Sequence, residues 1–375
     1  MTLSFNPADP AVLLPESALQ KSAIVAMSGG VDSSVAAYLM QKAGFDCIGV
    51  TMKLFYNEDI GISRENTCCS LEDVQDAQSV CWKIGMPYYV FNFSDRFRQD
   101  VIDRFIAAYE NGITPNPCID CNRYLKFDKL YHRARELDRA YVVTGHYARI
   151  TRDPRSGRFL LQKGIDPSKD QSYVLYAMTQ EQLAHTIFPL GGMKKEETRA
   201  IAEAQGFINA RKHDSQDLCF VQSGSYADFI ASQTGKVYPP GDFIDSTGRV
   251  LGRHRGIIHY TVGQRKGLGI AFHQPMYVAA IDPAANTVTL APEEELFSRE
   301  LLVKDINLIT VDTLDAPMRV HAKIRYRQPE QPAVITQVDE DTIRLVFDKP
   351  QRAAAKGQAA VFYDGDTVVG GGTIV

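Results

Sequence analysis

The chain has 375 residues, 45% hydrophobic and 23% charged, a balance that excludes a disordered, fibrous or miniature disulfide-stapled protein and supplies two or three domains of roughly 150 residues. The formal net charge of −4 excludes coating of nucleic acid by bulk attraction, though not a local basic face. No apolar run reaches the ~18 residues of a membrane span, and Met1 to Gln20 carries Asp9 and Glu16 without a basic leader, so a cytoplasmic protein with no membrane partner is expected. Seven cysteines, Cys47, Cys68, Cys69, Cys81, Cys118, Cys121 and Cys219, are odd in number and unevenly spaced. That pattern suits reduced thiols, some reactive or metal-binding, better than an extracellular disulfide framework.

In chain order, Ser22 to Met27 reads as a short buried strand broken by Ser28-Gly29-Gly30. Val31, Val35, Tyr38 and Leu39 then recur at helical spacing, and Gly44 can end the helix in a left-handed conformation. Phe45 to Met52 is a second apolar run, which completes a parallel βαβ unit. Ser70 can cap a second helix with Asp73 three residues on and with Val74, Ala77, Cys81 and Ile84 as its apolar stripe, before a strand at Pro87 to Phe91. Helical patterns at Phe97 to Tyr109 and Leu125 to Leu137 precede a strand at Ala140 to Thr144. The expected fold class is α/β, a doubly wound parallel sheet. Beyond about Gly206, short alternating segments (Val278 to Ile281, Thr287 to Leu290, Val334 to Val338, Thr342 to Phe347) are divided by Pro, Gly, Asp and Asn. They predict a small central β-rich domain and a C-terminal β-barrel or sandwich. The expected boundaries are 1–220, 221–290 and 291–375, with a barrel as the last domain.

Ser28-Gly29-Gly30-Val31-Asp32-Ser33-Ser34 stands where backbone N–H groups and a helix dipole favour an anion. Two glycines alone would make an ordinary tight turn. All seven residues at a first βα junction favour a phosphate, with the hydroxyls of Ser28, Ser33 and Ser34 as donors, and no Walker Lys-Ser or Lys-Thr closes the loop. Cys118 and Cys121 form a Cys-x-x-Cys in a proline-restrained turn after Asn116-Pro117. Structural zinc needs two further ligands, for which Cys68 and Cys69 are the available thiols. Cys47 and Cys81 read as buried apolar residues. Cys219 follows the polar stretch Lys212 to Asp217 and is by itself as consistent with core as with chemistry.

Ser28-Gly29-Gly30-Val31-Asp32-Ser33 resembles the pyrophosphate loop of the ATP pyrophosphatases, which cleave ATP between its α and β phosphates. The resemblance implies that Ala26, Met27, Ser28, Gly29, Gly30, Val31, Asp32 and Ser33 bind ATP, that Asp32 helps place Mg²⁺, that Met52 lies against the adenine, and that Gly145 approaches the nucleotide. Together with the cysteine segments, the chain is similar over nearly its whole length to the bacterial tRNA-specific 2-thiouridylases. Gly145-His146-Tyr147, Lys169-Asp170-Gln171-Ser172-Tyr173, Tyr260 to Gly269, Arg325-Tyr326-Arg327-Gln328 and Gly357-Gln358 carry that likeness. It implies adenylation of uracil O2, then sulfur transfer from a persulfide on Cys219. Cys121 either attacks the activated carbon or frees the sulfur by forming a disulfide with Cys219, which a thiol reductant resets. A cysteine desulfurase or sulfur-relay protein is the implied donor. Asn116, Pro117 and Cys118 would lie beside the flipped uridine, and His146, Lys169, Asp170, Gln171, Arg325, Tyr326 and Gln358 would contact tRNA.

One departure matters. Familiar members read Asn-Pro-Asp where this chain has Asn116-Pro117-Cys118, so the carboxylate proposed there as general acid or base is missing, and Asp120 is two positions off. Three cysteines, Cys118, Cys121 and Cys219, make a sulfide-binding 4Fe-4S cluster the alternative mechanism. The RNA face is expected from stretches rich in Lys and Arg: Arg249 to Ile281 and Arg319 to Arg327, which carry no acid, and Cys121 to Arg135, where Asp128 is the single acid. Other classes would be an amide-forming pyrophosphatase ligase, which needs no cysteine, and a non-catalytic zinc or iron-sulfur RNA-binding module.

Overall fold

The computed structural model describes residues 20–55, 71–214, 218–221 and 225–375. Ser70, Cys68 and Cys69 lie outside the described residues. Within them the chain forms two compact units, one holding the residues up to Asp100, Cys118–Gln222 and Asp366–Val368, the other Val101–Pro117, Ser223–Gly365 and Val369–Val375.

In the first unit, β1 (Ser22–Ala26), helix α1 (Val31–Lys42), β2 (Asp46–Lys53), helix α2 (Leu71–Lys83) and β3 (Tyr88–Asn92) follow the predicted alternation. Next come β4 (Tyr141–Val143), the β5 (Ala148–Arg152) and β6 (Phe159–Lys163) hairpin, and the two-residue β7 (Thr186–Ile187). The main sheet has the order β3-β2-β1-β4-β7, and every pairing in it is parallel. Because β1 lies between β2 and β4, the strand order reverses beside it, and ligands of open α/β sheets bind at the carboxyl ends of strands at such a switch point. Those ends are Met27-Ser28 after β1 and Thr144-Gly145 after β4.

Helix α1 is buried along most of its length. Val31, Ser33, Ser34, Val35, Ala36, Ala37, Leu39 and Met40 are all in the interior, so small residues alternate with large ones and the helix can lie close to the sheet. Fully burying Leu39 contributes about 1.5–3 kcal/mol. Cys47 and Cys81 belong to this core, where burial pushes both thiols up to about 12. They are inert packing residues.

The turn expected around Cys118 and Cys121 is instead helical. Pro117 opens a short helix, Pro117–Asp120, and Cys121–Lys129 continues as a π-helix. The physical reason is that proline at a first helical position needs no N–H partner and already has the helical φ.

In the second unit, Ser225 caps the helix Tyr226–Thr234 in a reciprocal box with Asp228, and Gly235 ends it in the left-handed region. A four-stranded sheet, order β10-β11-β8-β9, is built from β8 (Gly241–Ile244), β9 (Val250–His254), β10 (Tyr277–Asp282) and β11 (Thr287–Ala291). It is followed by β12 (Phe297–Leu308), β13 (Met318–Lys323), β14 (Gln331–Asp339), β15 (Thr342–Arg352), β16 (Ala359–Asp364) and β17 (Thr367–Ile374). These run in the order β12-β15-β14-β13-β16-β17, and β17 also pairs with β12, Val303 opposite Ile374 and Leu308 opposite Gly370. That last pairing decides between the two architectures left open by the sequence: the sheet closes into a barrel, filled by Val303, Ile335, Leu345, Phe347, Phe362 and Val369.

Candidate active site

The phosphate loop leaves β1 at Met27 and enters α1 at Val31. Gly30 is the N-cap and has no side chain, so no side-chain cap bond covers the first turn of α1. Its amides are left to an anion, with Asp32 in that same turn. Gly29 has φ +76°, and a Cβ on it would fall 2.4 Å from the carbonyl oxygen of Asp73; only glycine fits against α2 there. Gly145, after β4, reaches the loop from the other side: a Cβ would stand 2.8 Å from the Asp32 carbonyl carbon and the Ser33 nitrogen. Met52 is buried at the end of β2, opposite Phe91.

The hydroxyls are used differently from the expectation. Ser33 and Ser34 are buried and donate to the Gly30 carbonyl at 3.0 and 2.9 Å. They stiffen the loop, which leaves Ser33 its backbone amide for a ligand, while Ser28 is exposed and its Oγ is 3.2 Å from Ser33 Oγ.

Residues that sequence reasoning missed complete the site. Asn209 donates to the Gly29 carbonyl at 2.8 Å and to Ser34 Oγ at 2.9 Å. Lys195 places Nζ 2.7 and 2.8 Å from the two Asp32 oxygens and 2.7 Å from Asp214 Oδ1, and the Tyr147 hydroxyl donates to Asp32 Oδ1 at 2.9 Å. Asp214 also accepts from Lys169 at 2.8 Å and Arg199 at 3.1 Å. Partial burial raises the Asp214 pKa, but the hydrogen bonds from Lys169 and Lys195 outweigh it and hold the carboxyl at about 2. On α2, Asp73 and Asp76 both accept from Lys212.

Cys121 is buried and Cys118 exposed. In a π-helix residues five apart are hydrogen-bonded neighbours, and Lys126, five after Cys121, acts electrostatically on both thiols. Burial pushes the Cys121 thiol up and the Lys126 ammonium opposes it. Asn122 is buried and donates to the Val174 carbonyl at 3.0 Å, while its Oδ1 has no partner among the described residues. Cys219 is half-buried, and the adjoining Phe220 packs edge-on to Phe97 with ring centroids 5.8 Å apart.

His146 is buried between Phe127 and Phe188, and its Nδ1 lies 2.7 Å from Thr144 Oγ1. Burial, then Lys126, holds its pKa well below 6.5. It is a neutral residue of the interior. Asp170 is spent on the Gly164 and Ser172 amides, and Gln171 accepts from the Tyr147 amide at 3.0 Å. In the second unit, Arg325 donates to the carbonyls of Val262 and Ala353 at 2.9 and 3.0 Å. Gln358 donates to those of Thr114 and Pro115 at 2.9 and 3.1 Å, holding the turn that leads to Asn116 and Pro117. Tyr326 is exposed, with Lys323 Nζ 5.6 Å from its ring centre. Three cations of the acid-free stretches pair with acids outside them: Arg249 with Asp245 in the β8–β9 turn, Arg253 with Asp242 across β8 and β9, and Arg319 with Asp348. Arg265, Lys266 and Arg327 remain exposed.

A switch-point phosphate loop on a parallel sheet defines a nucleotide-binding α/β domain. A family described as tRNA methyl transferase HUP domain matches residues 21–223; its PRC-barrel domain matches 227–292, and an aminomethyltransferase beta-barrel domain matches 298–374. The chain belongs to the tRNA-specific 2-thiouridylase family. It is 51% identical over 356 residues to the tRNA-specific 2-thiouridylase MnmA of Clostridioides difficile (strain 630), covering 95% of this chain and 98% of that one. The enzyme of the same name from Acetivibrio thermocellus is also 51% identical, over 95% and 99%, and that from Clostridium acetobutylicum 48%, over 95% and 100%.

Among the described residues no three His, Cys, Asp or Glu side chains are grouped to hold a metal ion, so Cys118, Cys121 and Cys219 do not make a preformed cluster site. No helix of the described residues is long and apolar enough to cross a membrane.

Proposed function

We propose that the protein replaces O2 of the wobble uridine of tRNA by sulfur at the expense of ATP. The observation that carries this reading is that, in a chain of the 2-thiouridylase family, one compact unit holds both an uncapped phosphate loop and the cysteines Cys121 and Cys219. The residues Ala26 to Ser33 bind the triphosphate, Gly145 packs behind Asp32, and Met52 closes the adenine side. Magnesium held at Asp32 would neutralise charge on the phosphates.

Uracil O2 attacks the α-phosphorus, and the bond to the β-phosphate oxygen breaks to release pyrophosphate. The terminal sulfur of a Cys219 persulfide then adds to C2, and AMP leaves with the old oxygen. Cys121 attacks the sulfur of Cys219, which frees the new thiocarbonyl and leaves a Cys121–Cys219 disulfide. Two electrons and two protons from a thiol reductant restore the pair. A sulfur-relay protein or cysteine desulfurase reloads Cys219. The alternative for a buried Cys121, a packing residue, is weakened by the charge of Lys126, which favours its thiolate against burial.

The same reading gives 1–220 to catalysis, 221–290 to a linker and 291–375 to tRNA binding. Lys169 and Tyr326 are its exposed or half-exposed RNA contacts, with Asn116, Pro117 and Cys118 beside the base. Mass spectrometry of tRNA nucleosides after incubation with ATP and a persulfide source tests it. 2-Thiouridine should form with the native chain and not with Cys121→Ser or Cys219→Ser; thiolation that survives both substitutions would reject it.

A further inference from the structure

We propose that Lys195 is a positioning residue that couples Asp32 at the phosphate loop to the segment bearing Cys219, so that occupation of the loop is felt at the sulfur-carrying cysteine. This rests on the functional reading above.

Lys195 is the first residue of the helix Lys195–Ala204, where the helix dipole disfavours a cation. Its side chain is only 10% exposed, and burying an ammonium is costly unless it is paired. Two carboxylates make the position tenable: Asp32, contacted through both oxygens, and Asp214, through one. The backbone is fixed as well, since the Lys195 amide donates to Asp166 at 3.0 Å. The ammonium can therefore shift weight between its two partners but cannot leave both.

Asp214 precedes Cys219 by five residues and is held by Lys169 and Arg199 besides Lys195. Arg199 further donates to the Lys212 carbonyl at 3.2 Å, so this network anchors the chain at Lys212 and Asp214. When Asp32 turns toward a nucleotide-bound divalent cation, Lys195 loses one anionic partner and its pairing with Asp214 tightens. Linkage makes the effect reciprocal: whatever the nucleotide does to the Asp214 segment, that segment does to nucleotide affinity.

The test follows alkylation of Cys219 by N-ethylmaleimide, read by peptide mass spectrometry, with and without a saturating magnesium complex of a non-hydrolysable ATP analogue. Binding of the analogue is measured by calorimetry on the same samples. In the native chain the analogue should change the Cys219 rate by about fivefold or more. Lys195→Met and Asp214→Asn should each remove that response at saturation, and Lys195→Arg should restore part of it. A native response retained in both Lys195→Met and Asp214→Asn overturns the coupling, as does a native chain that binds the analogue with no change at Cys219. A native chain that binds no analogue rejects the nucleotide reading itself, and the coupling falls with it. Asp214→Asn keeps the shape of the side chain, so the test stands even if Lys195→Met does not fold.

Discussion

Asn209 donates to the carbonyl of Gly29 from a position 180 residues further along the chain. That bond fixes the one loop residue that has a left-handed backbone and packs on α2, and the second amide hydrogen orients Ser34. Asn209→Ala should lower ATP affinity about five- to tenfold, the equivalent of the ~1–1.5 kcal/mol net value of a hydrogen bond. Calorimetric titration with ATP would show it; an unchanged dissociation constant would mean that the loop holds its shape without Asn209.

Gly145→Ala places a methyl against backbone rather than against movable side chains. Overpacking of this kind costs about 1–3 kcal/mol, and the strain falls on Asp32 and Ser33. The variant should unfold at lower urea and bind ATP far more weakly, whereas Gly44→Ala, which meets nothing within 4 Å, should retain nucleotide binding.

His146 should stay neutral through pH 6, and its ring resonances should not titrate there. Because its folded pKa lies below the unfolded value of 6.5, the unfolded chain takes up the proton first. Stability is then lost as pH falls below about 6.5. His146→Gln should flatten that part of the pH–stability curve.

Asp214 acts in a lower window. Its folded pKa of about 2 lies below the unfolded value near 3.9, so its contribution is complete above pH ~4 and disappears as pH falls toward 2. Denaturation midpoints of Asp214→Asn should converge on those of the native chain at the acid end of that window.

Arg265 and Lys266 stand exposed in a loop whose shape is set by Gln264, which accepts from the Thr261 amide and donates to the Lys266 carbonyl, both at 3.0 Å. If each meets one phosphate, replacing both by alanine should weaken tRNA binding and reduce its salt slope by about 2. Arg319→Ala, whose cation is already paired with Asp348, should change the slope less.

The βαβ start and the phosphate loop were legible because they are local: apolar runs, a glycine pair and an amphipathic helix all lie within about 30 residues. The barrel strands were legible from alternation and the barrel was expected, but the seam that closes it was not, since β12 and β17 meet across more than fifty residues. The β5–β6 hairpin escaped because most of its residues are only half-buried and show no clean alternation. Lys195 and Asn209 escaped because a polar side chain reveals its partner only in three dimensions. One local signal did exist: Lys194-Lys195 opens a helix at the end where acids are favoured, a placement that asks for compensating carboxylates. Which cations of the basic stretches are already paired was hidden for the same reason, since Asp348 is 29 residues from Arg319.

The barrel is joined by its first and last strands, Val303 to Ile374 and Leu308 to Gly370. Nothing shuts it until every strand between them has found its register. Such sequence-distant pairing carries its loop-closure entropy before its reward, so closure should be the slow, late event in folding this unit. Until then, two strand edges stay open to other copies of the chain. The hazardous interval for this protein is therefore the time before the seam forms, and conditions that lengthen it should favour aggregation even when the finished protein is stable.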